Sequence, residues 1–439
     1  MHTLEEARTG IIEQTWPTFK DRLAVRERSV SMVPASELRT RRDVHAQFAR
    51  LERIIGNTPL TSEIAANGCT LWIKNESENP SGSHYDRATL AVFKRLYEAN
   101  IIKPGDTILE GTSGSAGRSF AYFCNRLGFK LDMIVPHESE MPEVRLIEMK
   151  DFGTNVIHAS ERGGIGKVTK EWQKRIIELN KKCRRDPDHN SRQDYIVEGK
   201  SVYVFKIGDE VICAPNHSEI DITPRAFGDI AREVIEQLPP GTKIDAAAMT
   251  LGNGATVKGI SEVLRDAYGD VLIYGTEYQS SPTNAIRKLR LEVGESRLRE
   301  EFLARYGYLM PEKDTLAYHD SFGASTPGYE PPFVEVDKID DIIIVGDEWR
   351  EMKRLINLDA WLNVNPTGII GNTSAENKHV ARMLAKSGVL KGKNILVLQY
   401  DKGDQYEDWP PDVRDYSHVR RAPPAEIIPY RIRTMQKAA

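Results

Sequence analysis

ESENPSGSHYDRATLAVFKRL, residues 76–96, changes character halfway along. Its first half is polar and carries the breakers Asn79-Pro80 and Ser81-Gly82, so it reads as a loop. From Arg87 onward apolar residues recur every three or four positions, which predicts an amphipathic helix over 87–100. The preceding TLWIKNE, 70–76, is rich in β-formers and predicts a strand. The stretch is therefore a strand, a loop and a helix N-terminus, with His84, Tyr85 and Asp86 at the entry to the helix.

The same unit repeats outward from it. TILEGT (107–112) is a strand running into a Ser/Gly turn, followed by the helix AGRSFAYFCNRLG; KLDMIVP (130–136) is a strand, then come the helix VRLIEMKDFG and the strand NVIHAS. Such alternation predicts an α/β protein, with parallel sheets flanked by helices. The pattern lapses at about 184–212, where two short β-like runs around IGDE suit an inserted hairpin. A second α/β half follows: helix FGDIAREVIEQL, strand KIDAAAMTLG, helix VKGISEVLRDAYG, strand VLIYGTE. A less regular segment, about 279–335, precedes IIIVGD, the helices WREMKRLINL and ENKHVARMLAKSG, and the strand NILVLQYD. The expected organisation is a helical extension over 1–50, an N-terminal α/β domain over 51–215, a C-terminal α/β domain over 216–411, and an extended tail over 412–439.

The bulk properties narrow the function classes. With 439 residues the chain has ample core for two or three domains. A formal charge of −4 gives no electrostatic case for nucleic acid or an anionic membrane. No apolar run approaches the roughly 18 residues that span a bilayer. The first residues lack an apolar signal core, so a cytoplasmic location is expected. Cys69, Cys124, Cys183 and Cys213 are scattered, as are the ten histidines, so neither a disulfide framework nor a metal site is expected.

Three glycine-rich turns follow strands, where α/β sheets place their ligands. EGTSGSAGRS (110–119) exposes backbone N–H groups beside a helix's positive end, a seat for a carboxylate or phosphate. TLGNGATVKG (250–259) allows close backbone approach to an anion, with Thr256 adding a hydroxyl, but lacks the ending of a Walker loop. In GIIGNTSAEN (368–377), Thr373 or Ser374 can simply cap a helix. Each turn alone is equally an ordinary βα connection.

Together, and in this order, they resemble the fold-type II pyridoxal-phosphate (PLP) enzymes, the cysteine synthase and cystathionine β-synthase group with a tryptophan synthase β-like fold. IGNTPL (55–60) is similar to that family's opening motif, ENPSGSHYDRA (78–88) to its lysine loop, and TSGSAG (112–117) to its carboxylate loop. TLGNGAT is similar to its phosphate cup, YGTE (274–277) to its GVE strand, GIIGNTSA to its GISSGA turn and YDKGDQY (400–406) to its DSGERY; HDSFGASTPGYEPP (319–332) lies where a glycine-rich segment is expected. The resemblance spans about 50–410. It implies a two-domain homodimer with the site in the interdomain cleft. It implies a carboxylate cradle at Thr112, Ser113 and Gly114, and a phosphate cup at Gly252, Asn253, Gly254, Ala255 and Thr256. Ser115 would stand near the cofactor's ring oxygen, and Thr373 or Ser374 would face its ring nitrogen.

One departure bears on everything else: the Schiff-base lysine position holds Tyr85. Lys74 and Lys94 are near in sequence but not placed to substitute. Three explanations stay open. PLP binds without a covalent bond, and Tyr85 or His84 acts as acid/base; or the chain binds without catalysing; or the cup takes another phosphorylated or carboxylated ligand. The reading adopted is an atypical PLP-dependent β-replacement or β-elimination enzyme acting on a small amino acid such as an O-activated serine, with Tyr85 and His84 handling the proton. Its rival is a non-catalytic homologue that binds PLP, a phosphoamino acid or a related anion as a regulatory or structural subunit.

Overall fold

A computed structural model describes residues 19–112, 114–312, 316, 324, 329–362, 368–403 and 406. The expected tail at 412–439, Ser113 and most of 319–332 lie outside the described residues. Among the described residues the first two α-helices are α1 (Phe19–Ser29) and α2 (Arg41–Glu52). A capping box starts α2: Thr40 accepts from the Asp43 N–H while the Asp43 carboxylate accepts from Thr40. Both helices pack on the body. Gln47 donates to the Arg126 carbonyl, and Glu27 takes the Arg126 guanidinium and the Tyr122 hydroxyl.

Two six-stranded sheets carry the rest. The first has the order β5–β4–β3–β8–β7–β6. It is built from β3 (Thr107–Gly111), β4 (Lys130–Val135), β5 (Asn155–His158), β6 (Asn190–Val197), β7 (Lys200–Ile207) and β8 (Glu210–Ala214). The strands β3, β4, β5 and β8 are parallel; β6, β7 and β8 form an antiparallel meander. The segment around IGDE is therefore a hairpin, and Gly208 turns it with a φ of +59° that favours glycine. Its second strand, β8, then joins the sheet interior beside β3. Helices α3 (Tyr85–Glu98), α4 (Ser115–Leu127), α5 (Glu143–Asp151) and α6 (Gly164–Arg185) cover this sheet.

The second sheet has the order β1–β2–β12–β9–β10–β11, parallel except for β1. Its strands are β1 (Leu60–Ile64), β2 (Thr70–Asn75), β9 (Ala246–Thr250), β10 (Leu272–Tyr278), β11 (Asp341–Val345) and β12 (Asn394–Gln399). The strands β1 and β2 thus belong to the sheet whose other four strands come from the second half of the chain, with Thr70 opposite Asn394 and Asn75 opposite Gln399. Helices α7 (Ile222–Gln237), α8 (Ala255–Tyr268), α9 (Thr283–Val293), α10 (Leu298–Tyr306), α11 (Glu348–Leu362) and α12 (Asn372–Ser387) complete the layers. The central strand β9, AAAMT, is buried throughout, as a parallel strand covered on both faces must be. Helices α7 and α8 meet at backbone distance, since a Cβ on Gly259 would lie 1.9 Å from the Pro224 carbonyl oxygen.

The loop ahead of α3 is pinned from behind by paired charges. Arg87 reaches Glu76 at 2.7 and 2.8 Å and Glu233 at 2.7 and 2.8 Å. Lys74 donates to Glu233 at 2.7 Å, to the Thr58 carbonyl at 2.7 Å and to Gln237 at 2.9 Å. The Thr58 hydroxyl and Asn79 amide supply two more donors to Glu76. Bidentate, fully hydrogen-bonded pairing is what makes buried charge tolerable. The two cations hold the Glu233 carboxyl down at about 2 against the penalty of its burial.

Candidate active site

An open cavity of about 850 Å³, counting the solvent at its mouth, lies where the ends of β3, β8, β9 and β12 converge. Parallel strands deliver loops and helix N-termini to their carboxyl ends, so this is where ligand groups collect. Three of its walls come from the glycine-rich turns and a fourth from the loop ahead of Tyr85.

The first wall is the turn between β9 and α8. Gly254 takes a left-handed φ of +86°, and a Cβ there would meet the Val334 nitrogen at 2.5 Å, so the tight turn requires glycine. Asn253 accepts the Ala255 N–H on its Oδ1 at 3.0 Å. Its Nδ2 is buried without a hydrogen-bond partner among the described residues. A buried, unsatisfied donor beside a helix N-terminus is a place for an acceptor to bind, and an anion is the best acceptor there. Gly252, Asn253, Gly254 and Thr256 line the cavity; the Ala255 side chain does not.

Across the cavity stands the turn between β3 and α4. The Gly114 N–H donates to the Thr112 hydroxyl at 3.0 Å, and no side chain caps the start of α4. Thr112, Gly114 and Ser115 all line the cavity. Ser115, however, donates its hydroxyl to the Asp401 carboxylate. The same carboxylate accepts the Tyr406 hydroxyl at 2.7 Å and the Arg145 guanidinium at 3.3 Å, and that guanidinium lies 4.1 Å from the Tyr406 ring. This cluster of Arg145, Asp401 and Tyr406 forms a polar wall that the sequence reading left out. The stretch YDKGDQY, which carries Asp401 and Tyr406, was its sign in the sequence, while nothing near Arg145 pointed to it.

The third turn, at the start of α12, splits its two hydroxyls. Thr373 lines the cavity. Ser374, one residue on, turns away and accepts the Tyr400 N–H at 2.9 Å, fastening α12 to the end of β12.

Tyr85 and His84 sit in the middle. The His84 N–H donates to the Tyr400 carbonyl at 3.1 Å, and Ser83 bridges to Asp401, which draws the loop onto the end of β12. The His84 ring packs against Tyr85, Phe227 and Tyr400 at 4.5, 4.8 and 4.8 Å, with Thr256 Oγ1 3.4 Å from its Nε2. Burial lowers its pKa to about 4, so the imidazole is neutral at physiological pH. The Tyr85 ring packs edge-on against Phe227 and His217 at 5.6 and 5.8 Å. Burial raises its pKa to about 12, so it is a neutral phenol that can donate a proton but does not stand ready to take one.

No lysine lines the cavity among the described residues. Lys74 is committed to Glu233 on the far side of the loop, and Lys94 pairs with Glu52 on α2. His217, just beyond β8, is a further lining residue with no sequence motif around it. It lies 3.0 Å from Glu110, at the end of β3, and only the adjacency of these two strands brings them together. The described residues hold no cluster of histidine, cysteine or carboxylate side chains fit for a metal. Nor is any described helix long and apolar enough to cross a membrane.

The comparisons agree with this geometry. The family described as pyridoxal-phosphate dependent enzyme matches residues 51–292, more than half the chain, and the protein belongs to it. Cysteine synthase of Staphylococcus aureus (strain N315) is 25% identical over 364 residues, covering 82% of this chain and 96% of that one. Cysteine synthase 1 of Emericella nidulans is 38% identical over 104 residues, 23% of this chain and 28% of its own length. Among solved structures, a hydrogen sulfide-producing enzyme from Fusobacterium nucleatum matches with a TM-score of 0.60 at 23% identity, covering 81% of this chain and 99% of that one. The O-acetylserine dependent cystathionine beta-synthase of Helicobacter pylori gives 0.57 at 21%, covering 81% and 96%. These structural likenesses bear out the α/β, fold-type II expectation. Family membership makes pyridoxal 5′-phosphate the cofactor. The lining fits a phosphorylated group, since the buried Asn253 Nδ2 has no hydrogen-bond partner among the described residues, and Thr373 and Tyr85 line the same cavity.

Proposed function

We propose that the protein is a PLP-dependent β-replacement or β-elimination enzyme acting on a small O-activated amino acid, holding its cofactor non-covalently. The observation that carries this reading is the pairing, across one cavity, of an anion seat containing a buried, unpartnered Asn253 amide with an uncapped helix N-terminus beside Thr112 and Gly114. A ligand that is phosphorylated at one end and carries a carboxylate at the other matches both. When bound, PLP supplies an electron sink for cleavage at the amino acid's α-carbon. The chain's own residues do the rest. Gly252, Asn253, Gly254 and Thr256 hold the phosphate, while Thr112 and Gly114, with Ser113, orient the substrate carboxylate. Thr373 keeps the ring nitrogen from carrying a full positive charge. Tyr85 donates a proton where a lysine would stand, and His84, neutral and packed behind it, fixes the ring's position.

Supporting the substrate class are relatives named as cysteine synthases and an O-acetylserine dependent enzyme. A cytoplasmic homodimer is part of the same reading. A non-catalytic, ligand-binding homologue is the second reading, favoured by one observation: burial holds both His84 and Tyr85 neutral, so neither is a ready base.

The test is the visible spectrum of the purified protein with PLP, before and after borohydride, with mass spectrometry of the product. A bound chromophore without an adduct, shifting when O-acetyl-L-serine is added, supports the enzyme. A bound chromophore indifferent to every amino acid favours the second reading. An adduct on a lysine overturns the non-covalent assignment, and Tyr85→Lys, expected to give an adduct at position 85, is the positive control.

A further inference from the structure

Every turnover of the proposed kind needs a base for the α-proton, and the two residues at the lysine position are poorly suited to it. The Glu110–His217 pair is suited. Glu110 ends β3 immediately before the carboxylate cradle, and His217 follows β8, the neighbouring parallel strand. Both side chains are buried. One Glu110 oxygen accepts the His217 backbone N–H at 2.8 Å and the other lies 3.0 Å from Nδ1, so the carboxylate grips the residue at two points. With Nδ1 directed at the Glu110 carboxylate, Nε2 is the ring nitrogen left for other partners, and the Ser218 hydroxyl lies 3.5 Å from it. The ring is held by Phe120 at 5.1 Å on one side and by the edge of Tyr85 at 5.8 Å on another. Asn216, immediately before it, adopts a left-handed φ of +55°, a conformation asparagine tolerates, which turns the chain as it leaves β8. His217 and Tyr85 line the same cavity as Asn253 and Thr112.

We propose that His217, oriented by Glu110, is the catalytic base of this site and stands in for the absent lysine in moving the α-proton. This rests on the function proposed above. The Cα–H bond breaks and the proton passes to Nε2, giving an imidazolium whose charge the Glu110 carboxylate balances. The C–H electron pair becomes the Cα–Cβ double bond, and the β-substituent leaves with its own pair. The proton then returns to solvent or to the departing group, restoring the neutral ring. Tyr85, a phenol on the same wall, serves as donor to His217's acceptor, so the two jobs of one lysine are divided between two residues.

The test uses the full chain with two readouts besides turnover. Phosphopyridoxyl-L-serine, a stable secondary amine that needs no lysine, is titrated into the wild type, His217→Asn and Glu110→Gln by calorimetry. Nitrogen NMR of ¹⁵N-histidine-labelled protein, with His217→Asn to assign the signal, reports which ring nitrogen of His217 is protonated. Exchange of the α-proton of L-alanine, which has no β-leaving group, in deuterated water with PLP present reports the base itself. The expected result is affinity within about threefold in both variants and an Nδ1-protonated ring in the wild type. Exchange should fall at least about a hundredfold in His217→Asn, and less in Glu110→Gln. Wild-type exchange rates in His217→Asn, or a wild-type ring protonated at Nε2, overturn the proposal and leave the proposed function standing. Failure of the wild type to bind phosphopyridoxyl-L-serine overturns both.

Discussion

The start of α3 is buried on two sides, and the two sides treat polar groups in opposite ways. Behind the loop, Glu76, Arg87, Glu233 and Lys74 are charged and matched, each carboxylate oxygen meeting a donor. Toward the cavity, buried His84 and half-buried Tyr85 pack among aromatic rings with no charge to answer theirs, and both are neutral. A buried titratable group must either find a counter-charge or give up its own, and here one helix turn separates the two solutions. Position follows from the first and chemistry from the second: the paired charges fix where the helix begins, and the neutral wall sets no charge of its own against a ligand's.

The sharpest way to break the comparison is Arg87→Met. It strands Glu76, which is fully buried, and should cost about 3–5 kcal/mol in urea unfolding. A loss below about 1 kcal/mol would mean that the network is not what positions the loop.

Acid separates the two sides by pH window. The folded state holds His84 at about 4 against 6.5 when unfolded, so between those values the unfolded chain binds the extra proton, and stability falls as pH drops from 6.5 to 4. Glu233 is held at about 2 against 4.5, so its contribution is whole above 4.5 and is lost as pH falls toward 2. The His84 window is worth about 3 kcal/mol by linkage, and the Glu233 window less, because solvent screens its partly exposed carboxylate. His84→Gln should flatten the upper window alone, and an unchanged pH profile in that variant would place the titration elsewhere.

Asn253→Ala should weaken phosphopyridoxyl-L-serine binding by roughly tenfold, the worth of a hydrogen bond to an anion, with little change in stability. Unchanged affinity would move the anion seat. Least of all, Tyr85→Phe should alter stability by less than about 1 kcal/mol, since the ring contacts persist. The mildness of that change beside the harshness of Arg87→Met is the comparison in its simplest measurable form.

Local pattern carried the reading a long way. The strand at 70–75, the helix at 85–98, and the three small-residue turns all follow from breakers and periodicity within a dozen residues, and the order of those turns identified the family. What escaped depends on distance. Nothing near TLWIKN says that its partner is β12, because pairing is settled by a strand more than three hundred residues away. Thr373 and Ser374 are alike in sequence, but adjacent helical positions point about 100° apart, so only packing decides which one faces the cavity. Glu110 lies in β3 and His217 just beyond β8, its neighbour in the sheet. The single clue was a glutamate inside the apolar run TILEG, since a buried acid needs a partner.

The placement of β1 and β2 also has a consequence in time. Trp72 donates its indole N–H to Asn394, across a sequence separation of 322 residues. At about 5–20 residues per second, a ribosome takes roughly 16–64 seconds to deliver the second partner after the first has emerged. Throughout that interval one long edge of β2 has no neighbour, while the sheet containing β3 to β8 can already close on itself. During synthesis, then, the chain's first hairpin is the last to find its place.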